Sequence, residues 1–174
     1  MVLENNRINY LFLPEYNELY HDDYNYKVLE KSFSNKLCGE FRPGHFEGVL
    51  TIVLKLLNII SPDRAYFGEK DFQQYLLIDE MCKAFFIDTE IISCPTVREE
   101  DGLAMSSRNL LLTEEQKKIA PLFPRLLKSA KHPQEIKEEL EMKGFKVDYI
   151  TDIDNRRFGA VHLGKVRLID NVQI

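Results

Sequence analysis

Two short segments of the sequence combine basic residues with small polar ones in a pattern suited to phosphate chemistry. The first runs through Phe67, Gly68, Glu69, Lys70 and Asp71 to Gln74, and the second through Met105, Ser106, Ser107 and Arg108 to Asn109. Each sets a lysine or arginine beside residues whose backbone N–H groups stay accessible, as polyphosphate binding requires. The two segments therefore predict part of an active site that binds a polyphosphate.

The first segment is placed where an open parallel sheet binds its ligand. It follows a predicted buried strand at Arg64 to Phe67 and opens a predicted helix at Asp71 to Phe85. It therefore lies at the carboxyl end of a strand and at the N-terminus of a helix, where anions bind. Lys70 supplies a mobile positive charge, and Gln74 follows it by one helical turn, so both side chains can face one pocket.

Two further residues of this segment have predicted roles. Gly68 lets the backbone turn tightly, and Asp71 either caps the helix or holds a substrate hydroxyl. The four residues Gly-Glu-Lys-Asp alone also fit a simple polar turn between strand and helix. The longer run through Gln74 is much less expected by chance.

The second segment has the composition of a loop that closes over a triphosphate. Ser106, Ser107 and Arg108 lie between apolar flanks, and Gly102 is available as a hinge. Alternatively, the serine hydroxyls cap the helix that follows. A capping box from Thr113 to Gln116 already supplies that cap, which weakens the alternative.

A third segment precedes the most apolar run of the chain. Pro43 and Gly44 fix a turn into the predicted helix from Gly44 to Ile60, and they leave Arg42 and His45 near its positive end as candidate anion contacts. A single histidine at such a position is more often structural. The sequence shows no paired carboxylates suited to acid/base work and no metal-ligand spacing, so we predict no metal site in the chain itself.

Composition excludes several functional classes. The 174 residues carry a formal net charge of -5 with acidic and basic residues mixed, which gives no footprint for nucleic acid or an anionic membrane. The chain lacks a signal core and an uninterrupted apolar span. Three cysteines without paired spacing indicate free thiols, so we expect a cytoplasmic protein.

Periodicity indicates an α/β protein with a parallel sheet. Strands are predicted at Tyr10 to Leu13, Arg64 to Phe67 and Thr89 to Ser93, with buried helices between them. Beyond Val97 the pattern changes to a charged stretch, a helix interrupted by Pro121 and Pro124, a helix near Gln134 to Lys143, and strands at Lys146 to Ile150, Ala160 to Leu163 and Val166 to Ile169. We therefore predict two domains, residues 1–97 and a small α+β unit over residues 98–174.

In this order, these segments resemble the pantothenate synthetase (pantoate-beta-alanine ligase) family of the nucleotidyltransferase superfamily. The resemblance covers most of the chain. Its motifs are Arg42-Pro43-Gly44-His45-Phe46, the run from Pro62 to Gln74, the run from Pro95 to Asn109, and Arg167-Leu168-Ile169-Asp170-Asn171. The Met-Ser-Ser-Arg loop is also similar to the signature loop of class I aminoacyl-tRNA synthetases, which perform the same adenylation.

The resemblance implies the C-terminal part of a Rossmann-like nucleotide-binding sheet, followed by a small C-terminal lid domain. It also implies ATP with Mg²⁺, pantoate and beta-alanine as the substrates, a pantoyl adenylate as the intermediate and a homodimer as the assembly. Lys70, Ser106, Ser107 and Arg108 would stabilise charge on the phosphates. By position, the ATP contacts are Phe67 to Asp71, Val97 and Met105 to Arg108, and the pantoate contacts are Gln74, Val49 and Ile52.

The sequence also departs from the family. The earlier Rossmann strands, the His-x-Gly-His motif and the Asn/Gln pair that helps to hold pantoate are absent from the 174 residues. We therefore expect the C-terminal portion of the enzyme, inactive alone and prone to self-association through a bare sheet edge. Two alternatives stay open: a non-catalytic nucleotide-binding or dimerisation module that needs a separate N-terminal half, and adenylation of a different small carboxylic acid.

Overall fold

The computed structural model describes residues 2–174. Its first part contains a two-stranded parallel sheet flanked by helices. The helices are α1 (Val2–Asn5), α2 (Tyr16–Leu19), α3 (Cys38–Phe41), α4 (His45–Ile60) and α5 (Phe72–Ala84), and the strands are β1 (Arg64–Gly68) and β2 (Glu90–Cys94). Strand β1 pairs with β2 from Arg64 opposite Glu90 to Gly68 opposite Cys94. This βαβ order places the carboxyl ends of both strands on one side.

The second part contains three short helices and a meander. The helices are α6 (Glu114–Ile119), α7 (Leu122–Leu127) and α8 (Pro133–Met142), and the strands are β3 (Phe145–Ile153), β4 (Arg156–Leu163) and β5 (Val166–Gln173). The three strands form an antiparallel sheet in chain order. The predicted helices and strands of this part are confirmed, with longer strands than the sequence indicated.

Local sequence explains where the longest helix begins and ends. Gly44, with a φ of 76°, occupies the left-handed region at the N-cap of α4, where glycine carries no steric penalty. Ser61 and Pro62 follow its last turn and end it. The helix buries one stripe that includes Phe46, Leu50 and Leu57, whereas its last residues are exposed. The prediction of a buried helix is therefore confirmed up to Leu57, and only residues 58–60 are exposed.

Two other local predictions fail, and one element was not predicted. Tyr10 to Leu13 forms no strand, because no described strand lies beside it to accept its hydrogen bonds, and its side chains are exposed. Pro121 separates α6 from α7, but Pro124 lies within the first turn of α7, where no N–H donor is needed. Ser107–Leu111 forms a 3₁₀ helix that was not predicted.

Two hydrophobic clusters hold the molecule together. One is centred on Leu50, Leu77 and Ile78 between α4 and α5, and the other on Phe123, Leu127 and Leu140 against the antiparallel sheet. Tyr149 and Ile169 of the antiparallel sheet pack against the first cluster, so the two parts are in contact. Within residues 2–174, no helix has both the length and the apolar character to cross a membrane.

Candidate functional site

The cleft between the two parts collects most of the residues that the sequence singled out. It opens at the carboxyl end of β1 and is closed on the far side by β5. Its lining includes four basic or titratable side chains predicted to contact anions or phosphates, Arg42, His45, Lys70 and Arg108. Asp71 and Gln74 line the same cleft, so the expectation that Lys70 and Gln74 face one pocket is confirmed.

Lys70 connects the two predicted phosphate loops. It sits in the 3₁₀ turn Glu69–Asp71 that follows β1, and its Nζ donates a hydrogen bond to the carbonyl oxygen of Met105 at 3.1 Å. Burial, and to a smaller extent Arg108, lowers the pKa of Lys70, while Asp71 and Asp170 oppose that shift. The ammonium therefore lies beside the Met105 loop, and its charge is held in a partly buried cleft.

Gly68 and Asp71 differ in detail from what the sequence indicated. Gly68 has a φ of -72°, which any residue adopts, and an added Cβ would meet no atom within 4 Å. The prediction that Gly68 lets the backbone turn tightly is therefore wrong, because its backbone is extended. Asp71 occupies the N-cap of α5 without a capping hydrogen bond from its side chain, so its carboxylate is exposed at the cleft.

The Met105 loop is shaped by local hydrogen bonds. The Met105 N–H donates to the carbonyl oxygen of Val97 at 3.0 Å, and an isolated antiparallel bridge joins Arg98 to Ala104. Ser106 Oγ accepts from the N–H of Arg108 at 3.2 Å and caps the 3₁₀ helix. The capping alternative for the serines thus holds for Ser106, on a short 3₁₀ helix rather than on α6, whose Thr113–Gln116 capping box is confirmed.

Asn109 contributes a polar atom that lacks a partner. Its Nδ2 donates to the carbonyl oxygen of Ala104 at 3.1 Å, whereas its Oδ1 is buried and accepts no hydrogen bond among the described residues. Asn109 lines a second small pocket together with Lys70, Arg108 and Arg167. The loop therefore presents a free acceptor next to three basic side chains.

Arg42 and His45 form a hydrogen-bonded pair at the N-terminus of α4. Arg42 Nη1 lies 2.9 Å from His45 Nε2. Burial, together with the nearby charges of Arg42, Arg167 and Arg108, lowers the pKa of His45 to about 4. The imidazole is therefore neutral near pH 7, and its Nε2 accepts the hydrogen bond from Arg42.

Other predicted contacts lie away from this cleft. Val49 packs against the cluster around Leu50, and Ile52 is half-buried on α4 without lining the cleft. Phe67 packs on the same cluster. Val97 is exposed, and its carbonyl oxygen accepts the hydrogen bond from the Met105 N–H. The roles assigned to these residues stay predictions.

Sequence reasoning named the residues that hold the loops together only as parts of family motifs and assigned them no role. Asn171 and Asp170 lie on β5, and both are buried. Asn171 Nδ2 donates to the carbonyl oxygens of Glu69 and Lys70, and Arg98 makes a two-point ion pair with Asp170 at 2.7 and 2.9 Å. An acid and an amide inside the apolar run of β5 were the available signal, since buried polar side chains need partners.

Gln73, next to the predicted Gln74, is another buried polar side chain to which sequence reasoning assigned no role. It is 5% exposed, and its amide donates to the carbonyl oxygens of Phe33 and Lys36, while its Oε1 accepts from the N–H of Cys38. Gln73 therefore fixes the segment that leads into Arg42. Leu37, with a φ of 50°, carries the strained backbone of this segment.

The fold and the cleft together define a class: an α/β protein whose parallel strands end at a basic cleft closed by a second, antiparallel sheet. Such a cleft suits an anionic ligand of the phosphate type. Comparison with known proteins identifies the family. A family model described as pantoate-beta-alanine ligase matches residues 1–173.

Individual relatives agree with that match. The chain is 54% identical over 171 residues to a pantothenate synthetase of Bdellovibrio bacteriovorus, covering 98% of this chain and 68% of the relative. It is 52% identical over 170 residues to a pantothenate synthetase of Legionella pneumophila, with the same two coverages of 98% and 68%.

Solved structures show the same fold. The pantoate-beta-alanine ligase of Francisella tularensis, complexed with beta-gamma ATP and beta-alanine, superposes with a TM-score of 0.93 at 42% identity, covering 99% of this chain and 67% of that one. Pantothenate synthetase of Thermus thermophilus gives a TM-score of 0.91 at 34% identity. The chain therefore belongs to the pantoate-beta-alanine ligase family, and it spans about two thirds of the length of these relatives.

Proposed function

We propose that this chain takes part in the ATP-dependent ligation of pantoate and beta-alanine to pantothenate, an AMP-forming carbon–nitrogen ligase reaction. Pantoate would attack ATP to give a pantoyl adenylate and pyrophosphate, and the amine of beta-alanine would then displace AMP. The observation that carries the proposal is the shared cleft of Lys70 and Arg108, in which two sequence-distant loops present cations beside one another.

The proposed roles follow from charge and position. Lys70, Ser106, Ser107 and Arg108 would stabilise the negative charge that builds on the phosphates, because fixed donors in a half-buried cleft act more strongly than the same groups in water. The backbone of Phe67 to Asp71, Val97 and Met105 would complete the nucleotide contacts. Arg42, with its neutral partner His45, would face a further anionic group of a substrate.

Pantoate is the proposed carboxylic acid. Gln74 would bind it from the cleft wall, and Val49 and Ile52 would shape its apolar side. Asn109 Oδ1, a buried acceptor without a partner, adds a candidate contact for a substrate hydroxyl or amine. Adenylation of another small carboxylic acid is the nearest alternative in the same class.

Mg²⁺ would arrive with the triphosphate. The described residues contain no group of three or more His, Cys, Asp or Glu side chains that could hold a metal ion. Asp71, exposed at the cleft, is the carboxylate placed to meet such an ion. The ion would neutralise phosphate charge.

We further propose a cytoplasmic homodimer of the nucleotidyltransferase type, in which residues 1–97 continue a Rossmann-like sheet and residues 98–174 act as a lid. Three free cysteines suit a reducing compartment. A two-stranded parallel sheet with β1 paired only to β2 among residues 2–174 suits a larger sheet completed by other polypeptide.

The family resemblance leads us to expect a His-x-Gly-His motif, which is not among the 174 residues, so we propose that turnover by these residues requires a segment that bears it. A purified sample would be mixed with ATP, Mg²⁺, pantoate and beta-alanine, with and without the matching N-terminal segment of a relative. The proposal expects pantothenate and AMP with the segment and little without it. Full activity of the chain alone would contradict the partner requirement.

The second candidate function, a non-catalytic nucleotide-binding or dimerisation module, rests on exposed large apolar side chains, among them Tyr10, Leu13 and, on β1, Tyr66. It predicts binding of ATP or of the segment without any pantothenate. Replacing pantoate by other small 2-hydroxy acids in the assay separates the substrate alternatives. Failure to bind ATP in every combination would reject the proposed function in all its forms.

A further inference from the structure

Asn171 makes an unusual contact with the backbone next to Lys70. The side chain is 4% exposed, and its Nδ2 donates to two consecutive carbonyl oxygens, that of Glu69 at 2.7 Å and that of Lys70 at 3.0 Å. These carbonyls belong to the 3₁₀ turn that carries Lys70 out of β1. A single amide thus uses both of its N–H donors on the turn.

The other end of the amide is also fixed. Asn171 Oδ1 accepts from Arg156 Nη1 at 2.5 Å, and the Arg156 guanidinium lies over the Phe72 ring at 3.7 Å. Because the acceptor faces a guanidinium and the donors face carbonyls, only one orientation of the amide satisfies all partners. Arg156 also lies 3.9 Å from Glu69, whose carboxylate accepts from Ser93 at the end of β2.

Asp170, the residue before Asn171, holds the base of the Met105 loop in place. Asp170, with a side chain 1% exposed, pairs with Arg98, and Arg98 also donates to the carbonyl oxygen of Gly102 at 3.0 Å. The Asn171 N–H donates to Asp170 Oδ1 at 2.8 Å. Two adjacent residues of β5 therefore hold the Lys70 turn and the base of the Met105 loop, and Lys70 Nζ spans the gap between them.

We propose that Asn171 is a positioning residue of the nucleotide site: its side-chain amide fixes the carbonyls of Glu69 and Lys70 and so holds the Lys70 ammonium in place against the Met105 loop. The inference rests on the proposed function, in which Lys70 contacts the phosphates of ATP. Asn171 touches no substrate and acts through Lys70. A displacement of about 1 Å in such a group is enough to weaken a preorganised site.

A double-mutant cycle tests whether the effect passes through Lys70. Asn171→Asp keeps the acceptor for Arg156 but replaces both donors with a carboxylate oxygen facing two carbonyls. The dissociation constant for ATP with Mg²⁺ would be measured by calorimetry in the wild-type and Lys70→Met backgrounds. We expect an increase of about tenfold in the first background and less than about twofold in the second.

The cycle has a matched control and a direct readout. Asn155→Asp makes the same chemical change at an exposed position of the turn between β3 and β4 and is expected to leave ATP affinity unchanged. Hydrogen exchange of residues 66–72, followed by mass spectrometry without nucleotide, should become faster in Asn171→Asp and not in Asn155→Asp. If Asn171→Asp does not fold, Asn171→Ala, which adds no charge, takes its place in both measurements.

The outcomes separate this inference from the proposed function. A wild-type chain that binds no ATP, either alone or with the N-terminal segment, rejects the proposed function and with it the role of Asn171 in nucleotide binding. A wild-type chain that binds ATP, with equal losses for Asn171→Asp in both backgrounds, rejects the inference alone. Unchanged exchange of residues 66–72 also rejects it, whatever the affinity for ATP.

Discussion

Lys70 is the residue at which charge, burial and position coincide. Its ammonium is half-buried and hydrogen-bonded to the Met105 carbonyl, and burial lowers its pKa. A bound phosphate would offer this ammonium a stronger acceptor than the neutral carbonyl, because a phosphate adds the attraction between opposite charges to the hydrogen bond. The present hydrogen bond therefore positions the lysine without neutralising its charge.

We predict that Lys70→Met weakens ATP binding about 10- to 100-fold, as expected for the loss of a hydrogen bond to a charged group. The free energy of unfolding should change little, since the lost bond is single and lies near the surface. Lys83→Met is the matched control, because Lys83 lies on α5 with an exposed side chain paired to Asp79 and Glu80. Equal affinities of the Lys70→Met variant and the wild type would contradict the assignment.

His45 gives the molecule a predictable dependence on pH. Its pKa falls from 6.5 to about 4 in the folded chain because of burial and the surrounding arginines. The unfolded chain therefore binds the proton first as the pH falls, so the free energy of unfolding should decrease between about pH 6.5 and pH 4. Above about pH 6.5 both states are neutral at this residue, and its contribution is constant.

The His45 contribution is isolated by comparing wild type with His45→Gln. Urea unfolding at intervals from pH 7.5 to pH 4 should show a smaller decrease for the variant. The carboxylates titrate in both proteins, so their effect cancels in the difference. Parallel curves for the two proteins would show that the pKa of His45 is not lowered.

At the scale of elements, β4 is packed so closely against α7 that one of its positions tolerates no side chain. An added Cβ at Gly159 would lie 2.8 Å from Phe123 Cε2 and 3.0 Å from Ile150 Cδ1 and Leu127 Cδ2. Phe123 and Leu127 are fully buried in a close-packed core, so moving them aside costs free energy. The glycine therefore sets the distance between the antiparallel sheet and the helix.

We predict that Gly159→Ala lowers the free energy of unfolding by about 1–3 kcal/mol through overpacking. Gly68→Ala is the control: its added Cβ meets nothing within 4 Å at a φ of -72°, so stability should be unchanged or slightly higher. Thermal and urea unfolding of both variants measure the difference. A fall of ATP affinity in Gly68→Ala without a fall in stability would show that this glycine is needed for ligand binding and not for folding.

At the scale of the whole molecule, the apolar surface is unevenly distributed. The segment from Ile8 to Tyr16 exposes several large apolar side chains, with Tyr10 93% and Leu13 82% exposed. Strand β1 of the parallel sheet pairs on one side only among residues 2–174. Exposed apolar surface and an unpaired strand edge are costly in water. It favours association with another polypeptide.

We therefore predict that the chain alone associates in a concentration-dependent way. Sedimentation velocity at several concentrations should show larger species, and Leu13→Lys should shift them toward the monomer. Asn17→Lys adds the same charge at an exposed polar position nearby and should leave the distribution unchanged. A chain that stays monomeric at all concentrations would contradict the prediction.

Local patterns determined much of this protein. The turn at Gly44, the Thr113–Gln116 capping box, the strand before Lys70 and the helix after it follow from short-range chemistry, and the structure confirms them. Local patterns failed where pairing decides the outcome. Tyr10 to Leu13 has strand-like composition, but a strand forms only where another strand accepts its hydrogen bonds.

Sequence by itself also determined which residue types meet at the site: a lysine after one strand, a serine–serine–arginine loop and an arginine–histidine pair. Their common cleft, and the residues that hold it in shape, were decided only by tertiary structure. Asn171 is 101 residues from Lys70, and Asp170 is 72 residues from Arg98. No local periodicity encodes such contacts, because they exist only once β5 packs beside the Lys70 turn and gives two buried polar side chains the partners that burial requires.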